Sequence, residues 1–171
     1  MPRWDRLLQG KLIGPRRTTP VSTPGACRLP RLHSAPMATS VTAAELDHLL
    51  GSCPFTRRAG FRVAGVGEGW CELRVPFSPD DERPGGIVSG QVYMHAADVA
   101  FWCAIKTRLG LADESVTSGM TTAFLSSARR EDVHCRAEIL RLGERLVYGV
   151  AECRAGERIL THHTLTYARG R

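Results

Sequence analysis

The sequence lacks several things whose absence narrows its function. No apolar run reaches the roughly 18 residues that a membrane-spanning helix needs. The best candidate, Val88 to Ile105, is interrupted by Gln91, His95 and Asp98. Its six cysteines, at 27, 53, 71, 103, 135 and 153, form no C-x-x-C and no Cys/His cluster, so a zinc site is not expected. Free thiols in a reducing compartment are the simpler reading. There is no GxGxxG, P-loop, HExxH or G-x-S-x-G, and no internal repeat. Balanced charge is also missing at first sight, since the net charge is +6. That excess is local. Residues 1–36 hold seven basic residues and one acid, which leaves 16 of each sign from Met37 onward. A neutral body carries no electrostatic footprint for nucleic acid.

What is present suits one domain. The chain has 171 residues, 43% hydrophobic and 23% charged, enough for a core of ordinary size. Residues 1–36 are rich in Arg, Pro, Ser and Thr and show no sustained period. They read as a disordered or processed extension, separate from a folded domain over 37–171. Two origins are open: an organellar transit peptide, or an extension upstream of a start at Met37. Prolines at 15, 20, 24, 30 and 36 favour the second, because they would break a presequence helix.

From Met37 the pattern sharpens. Thr42-Ala-Ala-Glu45 has the form of a capping box and opens a short helix, Ala43 to Leu50, which Gly51 and Pro54 are expected to end. Phe61 to Gly67 and Trp70 to Pro76 read as strands, and 77–86 as a loop. A long helix follows from about Gly90 to Arg108, stopped by Gly110. Four strands are expected after it: Ser115 to Leu125, Val133 to Leu142, Arg145 to Arg154 and Arg158 to Ala168. The last three are joined by two-residue turns into an antiparallel meander. One long apolar helix followed by a meander predicts an α+β fold, a curved antiparallel sheet wrapped around that helix.

The long helix also carries the chemistry. It is apolar almost all round, as a buried helix is, yet holds Asp98. A buried carboxylate is costly unless it is satisfied or used. At the helix start Ser89 suits the N-cap, and Gly90, without a Cβ, lets a ligand carbonyl approach. The first backbone N–H groups, at Gly90, Gln91 and Val92, are free to bind a developing oxyanion. Gly90 and Asp98 are eight residues apart, roughly 12 Å along the axis. One reacting carbonyl cannot touch both in the same chain. If both serve one site, a second, antiparallel helix must supply the other half, which predicts a two-fold dimer.

Ser89-Gly90-Gln91 and Asp98, in the context PGGIVSGQVYMHAADVA, resemble the hotdog-fold acyl-CoA thioesterases of the phenylacetate-degradation (PaaI) type. The resemblance covers about Leu46 to Tyr167, includes Thr121-Thr122-Ala123-Phe124-Leu125, and matches the order of elements. It implies hydrolysis of acyl-CoA thioesters without a metal or cofactor other than the CoA of the substrate. It further implies that the Gly90 N–H polarises the thioester carbonyl. Asp98 of the partner chain then acts as nucleophile or as general base. Ser89 departs from the family's usual His, and Gln91 stands where a second Gly is usual.

The remaining candidates are substrate-binding. Ser89 and Gln91 flank the oxyanion position, and His95 lies one turn before Asp98. Ser118 and Thr122 are placed to orient Asp98 or a water. Val92, Tyr93, Ala96, Val99 and Trp102 are expected to line an acyl tunnel. The expected assembly is a homodimer or homotetramer, in the cytoplasm or, with a transit peptide, in an organelle. Two other readings are a non-catalytic acyl-thioester binding protein and an enoyl-CoA hydratase or dehydratase. The latter would need His95 and Asp98 to act as a pair.

Overall fold

The computed structural model describes residues 41–170, so the expected extension 1–36 lies outside them. The capping box forms: the Thr42 N–H donates to Glu45 (2.8 Å) and the Glu45 N–H donates back to the Thr42 hydroxyl (3.3 Å). Helix α1 spans Ala43–Ser52 and buries Leu46 and Leu50. A second short helix, α2 (Pro54–Ala59), follows at once, where the sequence predicted only a stop. Pro54 starts this helix: at N1 a proline sacrifices no hydrogen bond.

Strands β1 (Arg62–Gly67) and β2 (Trp70–Val75) form the first hairpin. The predicted loop is more structured than expected. It holds a 3-10 turn, Pro79–Asp81, and a small ribbon of β3 (Glu82–Arg83) and β4 (Ile87–Val88). Helix α3 runs Gly90–Leu109, and β5 (Val116–Phe124), β6 (Val133–Leu142), β7 (Leu146–Ala155) and β8 (Arg158–Ala168) complete the chain. The six-stranded antiparallel sheet has the order β1-β2-β6-β7-β8-β5.

The concave face of the sheet packs on α3, and this contact is the core. Tyr93, Ala96, Ala97, Ala100, Phe101, Ala104 and Ile105 of the helix meet Leu73, Cys135, Val147, Cys153 and Leu165 of the strands. Small residues on α3 let helix and sheet approach closely. The closest point is Gly149 on β7, where a Cβ would stand 2.2 Å from the Glu138 carbonyl oxygen and 2.3 Å from the Phe101 ring.

At the far end of α3 the buried Lys106 donates to the carbonyls of Leu111 (2.8 Å) and Asp113 (2.9 Å). Burial lowers its pKa. Its ammonium also lies 4.7 Å from the centre of the Trp102 ring, which fixes that side chain.

Candidate active site

One stripe of α3 escapes the sheet. Gln91, His95, Asp98 and Trp102 recur at three- and four-residue steps and are exposed or half-buried, while Tyr93, Ala96, Ala97, Val99 and Phe101 beside them are buried. Phe55 of α2 lies over this stripe, its ring 6.0 Å from that of His95 and 6.2 Å from that of Trp102. It stands between two openings. One is a groove of about 490 Å³ at the helix start, lined by Arg58, Phe61, Asp80, Asp81, Gln91 and His95 among others. The other, of about 250 Å³, is lined by Phe55, Asp98, Val99, Trp102, Thr117 and Tyr167 among others.

Asp98 is held by one of its two oxygens. The Thr117 hydroxyl and the buried Tyr167 phenol each donate to Oδ1 at 2.7 Å, and the phenol also lies 3.0 Å from the Asp98 carbonyl. Among the described residues Oδ2 has no partner, and it is not a buried unsatisfied atom, so it opens into the smaller cleft. Burial and the neighbouring Asp98 charge push the Tyr167 phenol well above its ordinary pKa, so it remains a donor.

Two of the expected partners of Asp98 are elsewhere. Ser118 donates to the Thr166 carbonyl (3.1 Å), and the Thr122 hydroxyl meets Nδ1 of His163 (2.9 Å). The reason is a bulge. Thr117 pairs with Tyr167 but Gly119 pairs with Thr166, so Ser118 is the extra residue and the strand changes parity there. Thr117, Met120 and Thr122 therefore lie on the same, helix-facing side as their partners Tyr167, Leu165 and His163. An uninterrupted strand would have put Ser118 on that face. His163 itself is fully buried, with Thr161 2.7 Å from its Nε2.

The helix start also differs from expectation in detail. Ser89 occupies the N-cap, but its hydroxyl makes no capping hydrogen bond, and its N–H donates to the Asp81 carbonyl (2.9 Å). The Val92 N–H is taken by the Ser89 carbonyl (3.1 Å), which leaves the Gly90 and Gln91 N–H groups for a ligand. The Phe124 ring overhangs Gly90, 3.0 Å from where a Cβ would be. His95 makes no hydrogen bond to Asp98. It packs edge-on to Phe61 (4.8 Å), and burial holds its imidazole below the ordinary pKa against the pull of Asp98 and Asp81. Of the expected tunnel residues, Val92 lines the larger groove, and Val99 and Trp102 line the smaller cleft. Tyr93 and Ala96 are core residues, and the Tyr93 hydroxyl accepts the Ala128 N–H (3.0 Å). Among the described residues no cluster of three or more His, Cys, Asp or Glu could hold a metal, and no helix is long and apolar enough to cross a membrane.

A sequence-family model described as the thioesterase superfamily matches residues 85–161, from the turn before α3 into β8. Through that segment, 77 of the 171 residues, the chain is similar to the thioesterase superfamily. The fold is the hotdog of that superfamily, a long helix in a curved antiparallel sheet. A Haemophilus influenzae thioesterase shares it with a TM-score of 0.72 at 22% identity, over 79% of this chain and 96% of that one. The PaaI protein of the E. coli phenylacetic acid degradation operon does so with a TM-score of 0.66 at 14% identity, over 72% and 89%. In sequence, a Thermoplasma acidophilum protein provisionally named an esterase is 26% identical over 104 residues, 61% of this chain and 78% of that one. Within this hotdog domain, the superfamily match contains Gly90, Asp98 and Thr117, while Tyr167 lies beyond it.

Proposed function

We propose that the protein hydrolyses acyl-CoA thioesters to a carboxylic acid and coenzyme A, at two equivalent sites shared between the protomers of a dimer. The observation that carries this reading is the half-held carboxylate. Asp98 presents one unbonded oxygen to an apolar cleft while two neutral donors hold the other. Similarity to the thioesterase superfamily over residues 85–161 supports hydrolysis of a thioester as the reaction class. The roughly 12 Å along α3 between Gly90 and Asp98 supports a shared site.

In this reading the Gly90 N–H of one protomer, aided by the helix dipole, stabilises negative charge on the thioester oxygen. Oδ2 of the partner's Asp98 acts in one of two ways. It attacks the carbonyl, expels the thiolate and gives an anhydride that water then cleaves, or it takes a proton from the water that attacks. Both routes add one water and end with the thiolate protonated. His95, tucked between Phe55 and Phe61, is not paired with Asp98, which removes the main support for a hydratase.

A panel of acyl-CoAs with free-thiol release tests the proposal. Release by the native protein that falls by about 100-fold or more in Asp98→Asn is expected, the scale of losing a catalytic base. Tight acyl-CoA binding without release would make this a binding protein. Water addition to an enoyl-CoA would make it a hydratase.

A further inference from the structure

On the side of the Pro84–Gly86 turn, two exposed guanidinium groups near the start of α3 have no carboxylate partner among the described residues. Arg83 is exposed, directly precedes the Pro84-Gly85-Gly86 turn, and its side chain makes no hydrogen bond or ion pair. Arg129 donates one Nη1 hydrogen bond to the Gly85 carbonyl (2.9 Å) and has no acid partner for its side chain. On the same side Arg130 is neutralised by Glu82 (2.9 and 3.1 Å) and Arg158 by Glu131 (2.5 Å), while Arg58 lies in the groove on the other side.

The loop that carries Arg129 is anchored to the site. The Ala128 carbonyl accepts the Val88 N–H (3.0 Å), and the Ala128 N–H donates to the Tyr93 hydroxyl on the first turn of α3 (3.0 Å). The other flank of the helix start has the opposite character, since its groove is lined by Asp80 and Asp81 with Arg58. A polyanion approaching Gly90 is therefore drawn to the Arg83/Arg129 flank and repelled from the other.

We propose that Arg83 and Arg129 form the subsite for the phosphates at the nucleotide end of a CoA thioester. The pantetheine arm then follows the Gly85–Ser89 segment to bring the thioester to Gly90. This rests on the acyl-CoA reading above. Guanidinium groups suit the task because their fork of donors matches phosphate oxygens in pairs. The reach is right as well. Gly90 is five residue steps after Gly85, no more than roughly 18 Å even if the chain were fully extended, the scale of a pantetheine arm. A Cβ at Gly85 would meet nothing within 4 Å, so the turn is open to a ligand.

Calorimetric titration of the full chain with CoA at two salt concentrations tests this. Arg83→Ala/Arg129→Ala should weaken CoA binding about tenfold or more and flatten its salt dependence, with the fold retained by circular dichroism. The kcat/KM ratio for an acyl-CoA over the N-acetylcysteamine thioester of the same acid, which has no phosphate, should fall by a similar factor. Lysine at both positions should restore part of each. No CoA affinity in the native protein, or undiminished affinity in the alanine variant, overturns the subsite. So does equal slowing of both thioesters. Arginine-dependent CoA binding without hydrolysis of any thioester leaves the subsite standing and removes the hydrolase reading.

Discussion

A carboxylate with both donors on one oxygen is a directional device. Thr117 and Tyr167 fix the plane of Asp98 and leave Oδ2 open, the reacting atom of the proposed mechanism. A hydrogen bond to a charged group is worth about 1.5–3 kcal/mol, so Tyr167→Phe should lower kcat about tenfold or more while KM changes less. Thr117→Ser, which keeps the hydroxyl, should retain most of the rate that Thr117→Val loses. Steady-state kinetics on the three variants checks both. If only folding suffered, kcat per folded molecule would not change. Asp98 and Gly90 were legible in the sequence because each is an anomaly in its own helix. Tyr167 was not, since its contact with Asp98 joins residues 69 apart and depends on the finished sheet. Thr117 was hidden by the bulge at Ser118, a change of parity that strand alternation cannot show. His95 supports a separate prediction. Its depressed pKa means that, as pH falls through about 6.5, the unfolded chain takes up a proton before the folded one does. Stability present above that pH is lost as the folded pKa is approached. The thermal midpoint should drop between about pH 7.5 and 5.5, and His95→Phe should remove part of the drop.

Elements were easier to read than single contacts. The order of the long elements follows from periodicity and turns, and the capping box at Thr42 forms as its residues dictate. The misreadings fell on short pieces, where Pro54 looked like a stop and β3 and β4 are only two residues each. Such pieces are set by tertiary contact: β4 is tied to the loop after β5 through the Val88–Ala128 hydrogen bond. How α3 meets the sheet is equally a matter of close fit. Gly149→Ala would drive a methyl into the Phe101 ring and the Glu138 carbonyl. Since β7 is central in the sheet, neither neighbour can yield freely. The expected cost is about 1–3 kcal/mol, the usual range for overpacking, read from urea unfolding at constant slope.

At the scale of the whole molecule, the described chain ends its sheet on an unfinished edge. β5 is paired only with β8, and Val116 (63% exposed), Phe124 (56%) and Leu125 (62%) lie along or beside it. An exposed apolar edge strand invites pairing with another chain, and β5 also carries Thr117 and the Phe124 that overhangs Gly90. If the proposed dimer is built on this edge, Thr117 and Phe124 lie beside its seam. Subunit mixing tests that arrangement. Asp98→Asn spoils the carboxylate, and Gly90→Val fills the space beneath Phe124, so each homodimer should be inactive. A mixed dimer puts both defects into one site and leaves the other intact. After equal mixing and exchange, half of the dimers are mixed and each has one working site, so activity should return to about a quarter of native. Recovery should follow the rate of subunit exchange measured by mass spectrometry. A site contained within one protomer would give no recovery at any mixing ratio.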